Sequence, residues 1–400
     1  MRKMVFIMIY VGIDIAKNKH DCVILSDHAT CLRPCFSLKN NSQGFALLIN
    51  AIKEACGGDF NHGEVKAGLE ATGHYAHNIV AFLNSNGIDT TIFNPFLVNQ
   101  YRKSRSLRKT KTDKADAMLI AELLISTAAN PATPSYHNQE MKTLCRYRFS
   151  LVKQRSKLKA DMSRYVDLLF PELGSLGLNP TSSSVMAMLK ELPGASYISI
   201  CNISQLTDIL SSSSRGRYGK ETAEQVKAMA KESIATANKA LSYIMSDTIE
   251  QICLLNKRIA KIDGELKNEV EKSGTKLTSI PGIGFCIASV ILAEIGDINL
   301  FSSADKLQAF AGLDPSTFQS GNFTASHTHM VKRGSAYLRW AIMQGARLCS
   351  LNNLKYKQYL DKKIKEGKHY NSALGHLSKK LIRLIFHLLK ENEEYDPKVA

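Results

Sequence analysis

The sequence predicts an α/β domain at its amino end followed by a mostly helical remainder. Three observations predict this. Short apolar runs alternate with helical spacings over the first 125 residues, apolar residues recur at coiled-coil intervals near 140–170 and 252–266, and apolar helical patterns with a glycine turn return after 276. At 400 residues, two to three domains are expected. A composition of 44% hydrophobic and 22% charged residues is ordinary for a globular chain.

Taken in order, residues 5–15 and 20–26 read as strands around a turn at Lys17-Asn18, and 30–38 as a third strand. Pro34 puts that strand at a sheet edge, because proline donates no ladder hydrogen bond. Residues 42–56 have helical spacing with Ser42 as N-cap, 64–70 read as a strand, 74–86 as a helix ended by Gly87, and 89–94 as a strand stopped by Pro95. A helix follows at 113–125, with Thr112 able to cap it, and 126–138 reads as a linker.

The segment 140–170 is helical and basic. One seam holds Leu144, Leu151, Leu158 and Tyr165; the other holds Met141, Arg148, Arg155, Met162 and Leu169, whose arginines break an ideal coiled coil. Ile252, Leu255, Ile259, Ile262 and Leu266 offer a matching helix, in the same chain or across a dimer. Between them, the serine runs 181–184 and 211–214 read as loops, 220–248 reads as helical, and no chemistry is evident. The tail 352–392 is helical and basic. The division expected is 1–125, a linker at 126–139, a helical coiled-coil region with an insert at 140–275, a domain at 276–348 and a basic extension at 349–400.

Net charge is +16 with a pI near 9.3, which points to a polyanionic partner, most often nucleic acid. The nine cysteines form no CxxC pair, so zinc has no spacing support, and their scatter indicates free thiols of a reducing cytosol. Arg2 and Lys3 before MVFIMIYVGI resemble a signal-peptide start, but the run meets Asp14 and a basic segment, so a buried strand is expected. No apolar stretch is long enough for a spanning helix.

Four acids stand out: Asp14 inside an apolar run, Glu70 at the end of EVKAGLEATG, and Asp113 and Asp116 spaced to share a helix face. A carboxylate on an apolar element needs a partner or a metal, and several of them suit a pair of Mg²⁺ ions. Surface charges and helix caps are the plainer reading of any one of them. The run 102–114 carries Arg102, Lys103, Arg105, Arg108, Lys109, Lys111 and Lys114, leads into Asp113 and would deliver phosphates there. Pro281-Gly282-Ile283-Gly284 joins two helical patterns and would let backbone N–H groups at Gly282 and Gly284 approach a phosphate, as in a helix-hairpin-helix element; a plain turn explains it equally. The polar loop 314–339 offers Ser316, Ser320, Ser326 and Ser335, with His327, His329, Lys332 and Arg333 beside them. Ser335 reads as the cap of a helix beginning at Tyr337, whereas Ser320-Gly321 lacks that explanation.

Together these pieces resemble the DEDD transposases of the insertion-sequence 110 type, the bridge-RNA-guided recombinases. The resemblance rests on GIDIAKNKHD, GLEATGHY, the NP…RKTKTDKADA segment, LTSIPGIGFCIASVILAEIGD, LQAFAGLDPSTFQSG and KRGSAYLR. It implies an RNase H-like (RuvC-like) domain whose Asp14, Glu70, Asp113 and Asp116 hold two Mg²⁺ ions, and a transposase domain whose nucleophile is placed at Ser320. It further implies donor and target DNA, a structured guide RNA, dimers or tetramers in which acids of one subunit meet the serine of another, and a prokaryotic cytoplasm. The tail after about 350 is longer than the resemblance leads one to expect. The competing expectations are a RuvC-like nuclease hydrolysing branched DNA without a serine, and a non-catalytic nucleic-acid scaffold.

Overall fold

In the computed structural model the chain divides into two units, Met1–Pro134 and Ser135–Ala400. The structure describes residues 8–70, 75–93, 95–105, 113–127, 137–316, 319–320, 323–324 and 330–397.

The first unit is built on a five-stranded sheet. β1 (Ile9–Ile15) pairs antiparallel with β2 (Lys19–Ser26), and β2 pairs antiparallel with β3 (Cys31–Lys39). After α1 (Ser42–Cys56), β4 (Val65–Glu70) lies parallel to β1. After α2 (Ala76–Ser85), β5 (Asp89–Phe93) lies parallel to β4, giving the order β3-β2-β1-β4-β5. The strand carrying Pro34 is therefore an edge, as its missing donor requires. Two further helices are α3 (Pro95–Arg105) and α4 (Asp113–Ser126).

Both faces of the sheet are covered, which is why β1 reads as a continuous apolar run. Ile9, Val11, Ile13 and Ile15 pack with Phe45, Leu48 and Ile52 of α1 and Ile79 and Leu83 of α2. Tyr10, Phe93 and Val98 cluster with Leu119, Ile120, Leu123 and Leu124 of α4, and Val23 and Leu25 with Ala117 and Ala121. Two local expectations are corrected. The cap of α1 is Asn41, whose side chain accepts from Gly44 N at 2.8 Å, not Ser42, which is already helical. Pro95 does not merely stop β5: it opens α3, a position where its missing N–H costs nothing.

The second unit is helical. α5 (His137–Leu169) is followed by α6 (Ser183–Glu191), α7 (Ala195–Ile200), α8 (Ile203–Ser214) and α9 (Lys220–Lys231), then the long α10 (Lys239–Lys272). α5 and α10 pair antiparallel within one chain. Met162, Val166 and Leu169 share a core with Met245, Ile249 and Ile252, while Met141, Cys145 and Leu151 share another with Leu255, Ile259, Ile262 and Leu266. Both seams contribute to the core: Met141, Met162 and Leu169 of the arginine-interrupted seam are buried, and so is Leu151 of the other, whose Leu144, Leu158 and Tyr165 are only half-buried. Arg148 is matched by Asp263 (Nη2 to Oδ2, 3.3 Å) and Arg155 by Asn256 (2.9 Å).

The serine runs are not loops. Ser182 caps α6, and 211–214 form the last turn of α8, where Ser212 donates to Ile209 O (3.2 Å) and Ser214 to Ser211 O (3.3 Å). Hydroxyls that return to the preceding turn let serine end a helix rather than break it. The pattern at 220–248 is also split, because α9 stops at Lys231 and Asn238 caps α10 by accepting from Leu241 N at 3.0 Å.

The rest of the unit comprises α11 (Phe285–Ile295), α12 (Ala304–Phe310), a small hairpin of β6 (Gln319–Ser320) and β7 (Phe323–Thr324), then α13 (Ala336–Asn352), α14 (Leu354–Lys365) and α15 (Tyr370–Glu391). All nine cysteines are free thiols. No described helix is long and apolar enough to cross a membrane.

Candidate active site

Two glycines orient the sheet beneath α4. A Cβ on Gly12 would collide with the Ala117 carbonyl oxygen and stand 2.6 Å from Ala121 N; one on Gly68 would stand 3.2 Å from Ile120 Cγ2. Side chains alternate along a strand, so Asp14 and Glu70, each two residues further on, project to this same α4 face. In the β1/β4 ladder Ile13 lies opposite Leu69, which sets Asp14 and Glu70 side by side at the carboxyl ends of adjacent parallel strands. Helix α4 runs back along β1, because Tyr10 clusters with Leu123 and Leu124 while Gly12 meets Ala117. Its first turn, with Asp113 and Asp116, therefore faces the acidic end. Asp116 is buried at 6% exposure. The Asp113 side chain lies outside the described residues.

A fifth acid joins them. Asp21 of β2 is the direct cross-strand partner of Asp14, so it shares the α4 face. It is nearly buried, accepts from the Ser37 hydroxyl and is bridged by Lys19 at 3.1 Å. Asp21, Asp14 and Glu70 thus form a row across three neighbouring strands. Sequence reading passed over Asp21, although a turn centred on Lys17-Asn18 already sets it opposite Asp14.

Like charges in register repel, so such a row calls for cations. Arg102 of α3 supplies one, donating from Nη2 to Asp116 Oδ1 at 2.9 Å, and Arg105 binds Glu122 of α4 from Nε at 3.1 Å. Two members of the basic run are thus engaged on carboxylates of their own unit, while Lys103 is exposed. Arg108, Lys109 and Lys111 lie outside the described residues. The oxygen-only donor set of Asp14, Glu70 and Asp116 fits a hard divalent cation in kind. Among the described residues no group of three or more His, Cys, Asp or Glu is arranged to hold a metal ion, and Asp116 faces a guanidinium instead.

In the second unit, Ser320 pairs with Phe323 in the β6–β7 hairpin; the Ser320 side chain, Ser326, His327 and His329 lie outside the described residues. The stem of that loop is clamped. Pro315 bridges Met330, Val331 N donates to Asp314 O (2.8 Å), and Arg339 Nη1 donates to the carbonyls of Ala311 and Lys332, both at 3.2 Å. Lys332, in a left-handed conformation with φ 54°, and Arg333 are exposed just beyond it. Ser335 caps α13, which starts at Ala336, one residue earlier than expected; its hydroxyl accepts from Leu338 N (3.1 Å) and donates to Glu294 Oε2 (2.8 Å).

Glu294 is a second residue that sequence reading missed. It is 3% exposed and receives a two-pronged Arg146 (2.9 and 3.1 Å) with Lys142 at 3.5 Å. Burial pushes its carboxyl up, but Arg146, Lys142 and Ser335 outweigh burial and hold it below its ordinary value. A single acid within the apolar helix FCIASVILAEI was the available signal. At the glycine turn, Gly282 has φ 97°, and a Cβ there would stand 2.6 Å from the Leu348 carbonyl carbon, so its glycine is required by packing on α13. Gly284 caps α11 and is exposed.

Comparison with known proteins finds two matched stretches, the first running past Pro134 through the end of α5. Residues 11–171 match a transposase model of the DEDD, IS110 kind, and 274–361 match the transposase IS116/IS110/IS902 family. The chain is similar to the pilin gene-inverting protein of Moraxella bovis, 25% identical across 98% of each chain. It is similar to the insertion element IS116 uncharacterized 44.8 kDa protein of Streptomyces clavuligerus, 25% identical across 97% of this chain and 96% of the other. It is also similar to the transposase for insertion sequence element IS1111A of Coxiella burnetii, 26% identical across 82% and 78%.

Proposed function

The chain belongs to the DEDD transposases of the IS110 type and is a DNA transposase or recombinase, and from that premise we propose how its residues cut and rejoin strands. The first unit is an RNase H-like (RuvC-like) catalytic domain. The order β3-β2-β1-β4-β5, with an antiparallel half beside a parallel one, supports this. The catalytic domain spans 1–125, with a linker to 139, the coiled-coil region to 275, the serine-bearing domain to 348 and a basic extension beyond.

Asp14, Glu70, Asp113 and Asp116 would hold divalent cations, two Mg²⁺ ions by their all-oxygen chemistry. Bound ions of this kind neutralise charge on a scissile phosphate and on the departing oxygen. The observation that carries the reading is the placement of Asp14 and Glu70 at adjacent strand ends beneath the first turn of α4. A rigid, doubly covered sheet keeps those oxygens in place without reorganisation.

Ser320 is the nucleophile. Its Oγ bonds to phosphorus as the bond to the departing deoxyribose oxygen breaks, and the serine proton passes through a carboxylate to that oxygen. The resulting phosphoserine link conserves the ester bond, so strands rejoin new partners without ATP. The clamped stem at Pro315 and Met330 supports a loop presented from a fixed base. A structured RNA selects donor and target DNA. Arg102, Lys103, Arg105, Arg108, Lys109 and Lys111, the helix-hairpin-helix turn at Gly282 and Gly284, and Lys332 and Arg333 contact phosphates. Homodimers or tetramers bring the acids of one subunit to the serine of another, in the cytoplasm of a prokaryotic cell at its nucleoid.

Asp14→Asn is expected to lower strand cleavage by more than about 10³-fold while DNA retention in a gel-shift assay is unchanged. Undiminished recombination by that variant overturns the acidic site. A protein–DNA adduct that disappears in Ser320→Ala establishes the serine step. Cleavage with no adduct selects the hydrolytic nuclease, and no cleavage with Mg²⁺ and cognate RNA selects the scaffold.

A further inference from the structure

Arg102 and Asp116 form an ion pair at the edge of the acidic row, and the two side chains differ in exposure: 28% for Arg102 and 8% for Asp116. The carboxylate is thus confined and the guanidinium is within reach of solvent. An ionised, nearly buried Asp requires a cation beside it, and in this state Arg102 is the one. Mg²⁺ takes its oxygen ligands at about 2.1 Å, so an ion on Asp116 would share one carboxylate with a guanidinium held 2.9 Å from Oδ1. Two cations on that carboxylate repel strongly where water is scarce.

Arg102 also sits where a second partner can take it. It lies in the last turn of α3, at the start of the basic run 102–114, and guanidinium binds phosphate as well as carboxylate. The neighbouring pair, Arg105 with Glu122, fastens α3 to α4 independently, so Arg102 can leave Asp116 without undocking the helix.

We propose that Arg102 is a displaceable counter-charge on Asp116. It holds the acidic row balanced until a nucleic-acid phosphate draws the guanidinium away, so that cation loading and nucleic-acid binding reinforce each other. The proposal rests on the acidic row as a cation site. Reciprocity follows from linkage: whatever removes Arg102 from Asp116 must strengthen cation binding, and bound cation must strengthen phosphate binding by the same factor.

The test is a Mn²⁺ titration of the full chain followed by electron paramagnetic resonance, with and without a short DNA duplex. Without DNA, Arg102→Ala is expected to bind Mn²⁺ about tenfold more tightly than the wild type, equal to about 1.4 kcal/mol. Arg102→Gln, which keeps the bulk of the side chain, is expected to do the same. Glu122→Gln, which loosens α3 but leaves Asp116 with Arg102, is expected to stay within about twofold. Duplex DNA is expected to tighten Mn²⁺ binding in the wild type and not in Arg102→Ala. Unchanged or weaker binding in both Arg102 variants overturns the counter-charge. Asp14→Asn separates the two ideas: if it abolishes a saturable Mn²⁺ site, the cation reading stands whatever Arg102 does. If neither the wild type nor the Arg102 variants show a saturable site, both ideas fall.

Discussion

Asp116 and Glu294 are both carboxylates at 6% exposure or less, and both accept from arginine, yet their surroundings differ in kind. Glu294 stands alone in an apolar helix and is saturated by Arg146, Lys142 and Ser335. Asp116 lies in the first turn of α4, at the sheet end where Asp14, Glu70 and Asp21 line up, and the partner shown for it is a single partly exposed arginine. The first arrangement lowers the energy of the fold. The second accumulates like charge at a strand end, which costs the fold stability and makes sense where a cation or phosphate is to be received. A buried carboxylate is therefore read by how completely its oxygens are satisfied and by the sign of its neighbours, not by burial.

The sharpest way to break this contrast is to remove the close approach of helix and sheet. Gly12→Ala pushes a methyl into the Ala117 carbonyl, so the first unit is expected to lose about 3 kcal/mol or more, and strand cleavage with it. A melting curve unchanged by this substitution would mean α4 does not need its present seat. Next, Glu294→Ala is expected to cost the second unit about 2–3 kcal/mol, since hydrogen bonds to charged groups are lost and Arg146 is left without its acid. Asp14→Asn is expected to leave melting within about 1 kcal/mol of the wild type, or to raise it, because it relieves repulsion. Equal destabilisation by the two would erase the distinction.

The two units should also differ with pH. His20 is wholly buried, stacks on Phe45 at 6.1 Å, and burial pushes its pKa below the ordinary 6.5. Its neutral form is favoured in the fold, so its contribution is complete above 6.5 and declines as pH falls through the lowered native value. Glu294 is held below its ordinary 4.5, so its contribution is complete above 4.5 and is lost only as pH falls through its own lower value. Circular-dichroism melts between pH 7 and 4 should therefore show the first unit weakening before the second, and His20→Phe should remove the earlier loss. The smallest effect is expected in the helix pair. Replacing Arg148 and Asp263 together by leucine should change stability by less than about 1 kcal/mol, whereas Asp263→Ala alone should cost more, because it strands a half-buried guanidinium.

Much of this was legible beforehand. The strands of the first half and the edge place of the Pro34 strand followed from alternation and turn residues, and a matching pair of long helices from their spacing; the strand order and the pairing of those helices within one chain came only with the fold. The same hairpin that places Asp14 on a strand also implies Asp21 across from it, so that omission was one of inference, not of signal. Other misreadings had local causes. Serine runs looked like loops because serine competes with the backbone for hydrogen bonds, yet here the hydroxyls cap one helix and finish another. Pro95 looked like a terminator because its ring ends strands, yet the same ring starts helices.

The sequence by itself determined most of the strands and the longer helices, that the chain is strongly basic, and that Asp14, Glu70 and Asp116 belong to apolar elements, because periodicity and charge are local properties. Only the tertiary structure decided who partners whom. Glu294 meets Arg146 from 148 residues away, and Arg148 meets Asp263 from 115. No periodic pattern encodes such pairs; they arise when packing brings separate helices together and leaves each buried charge to be matched by whatever lies opposite.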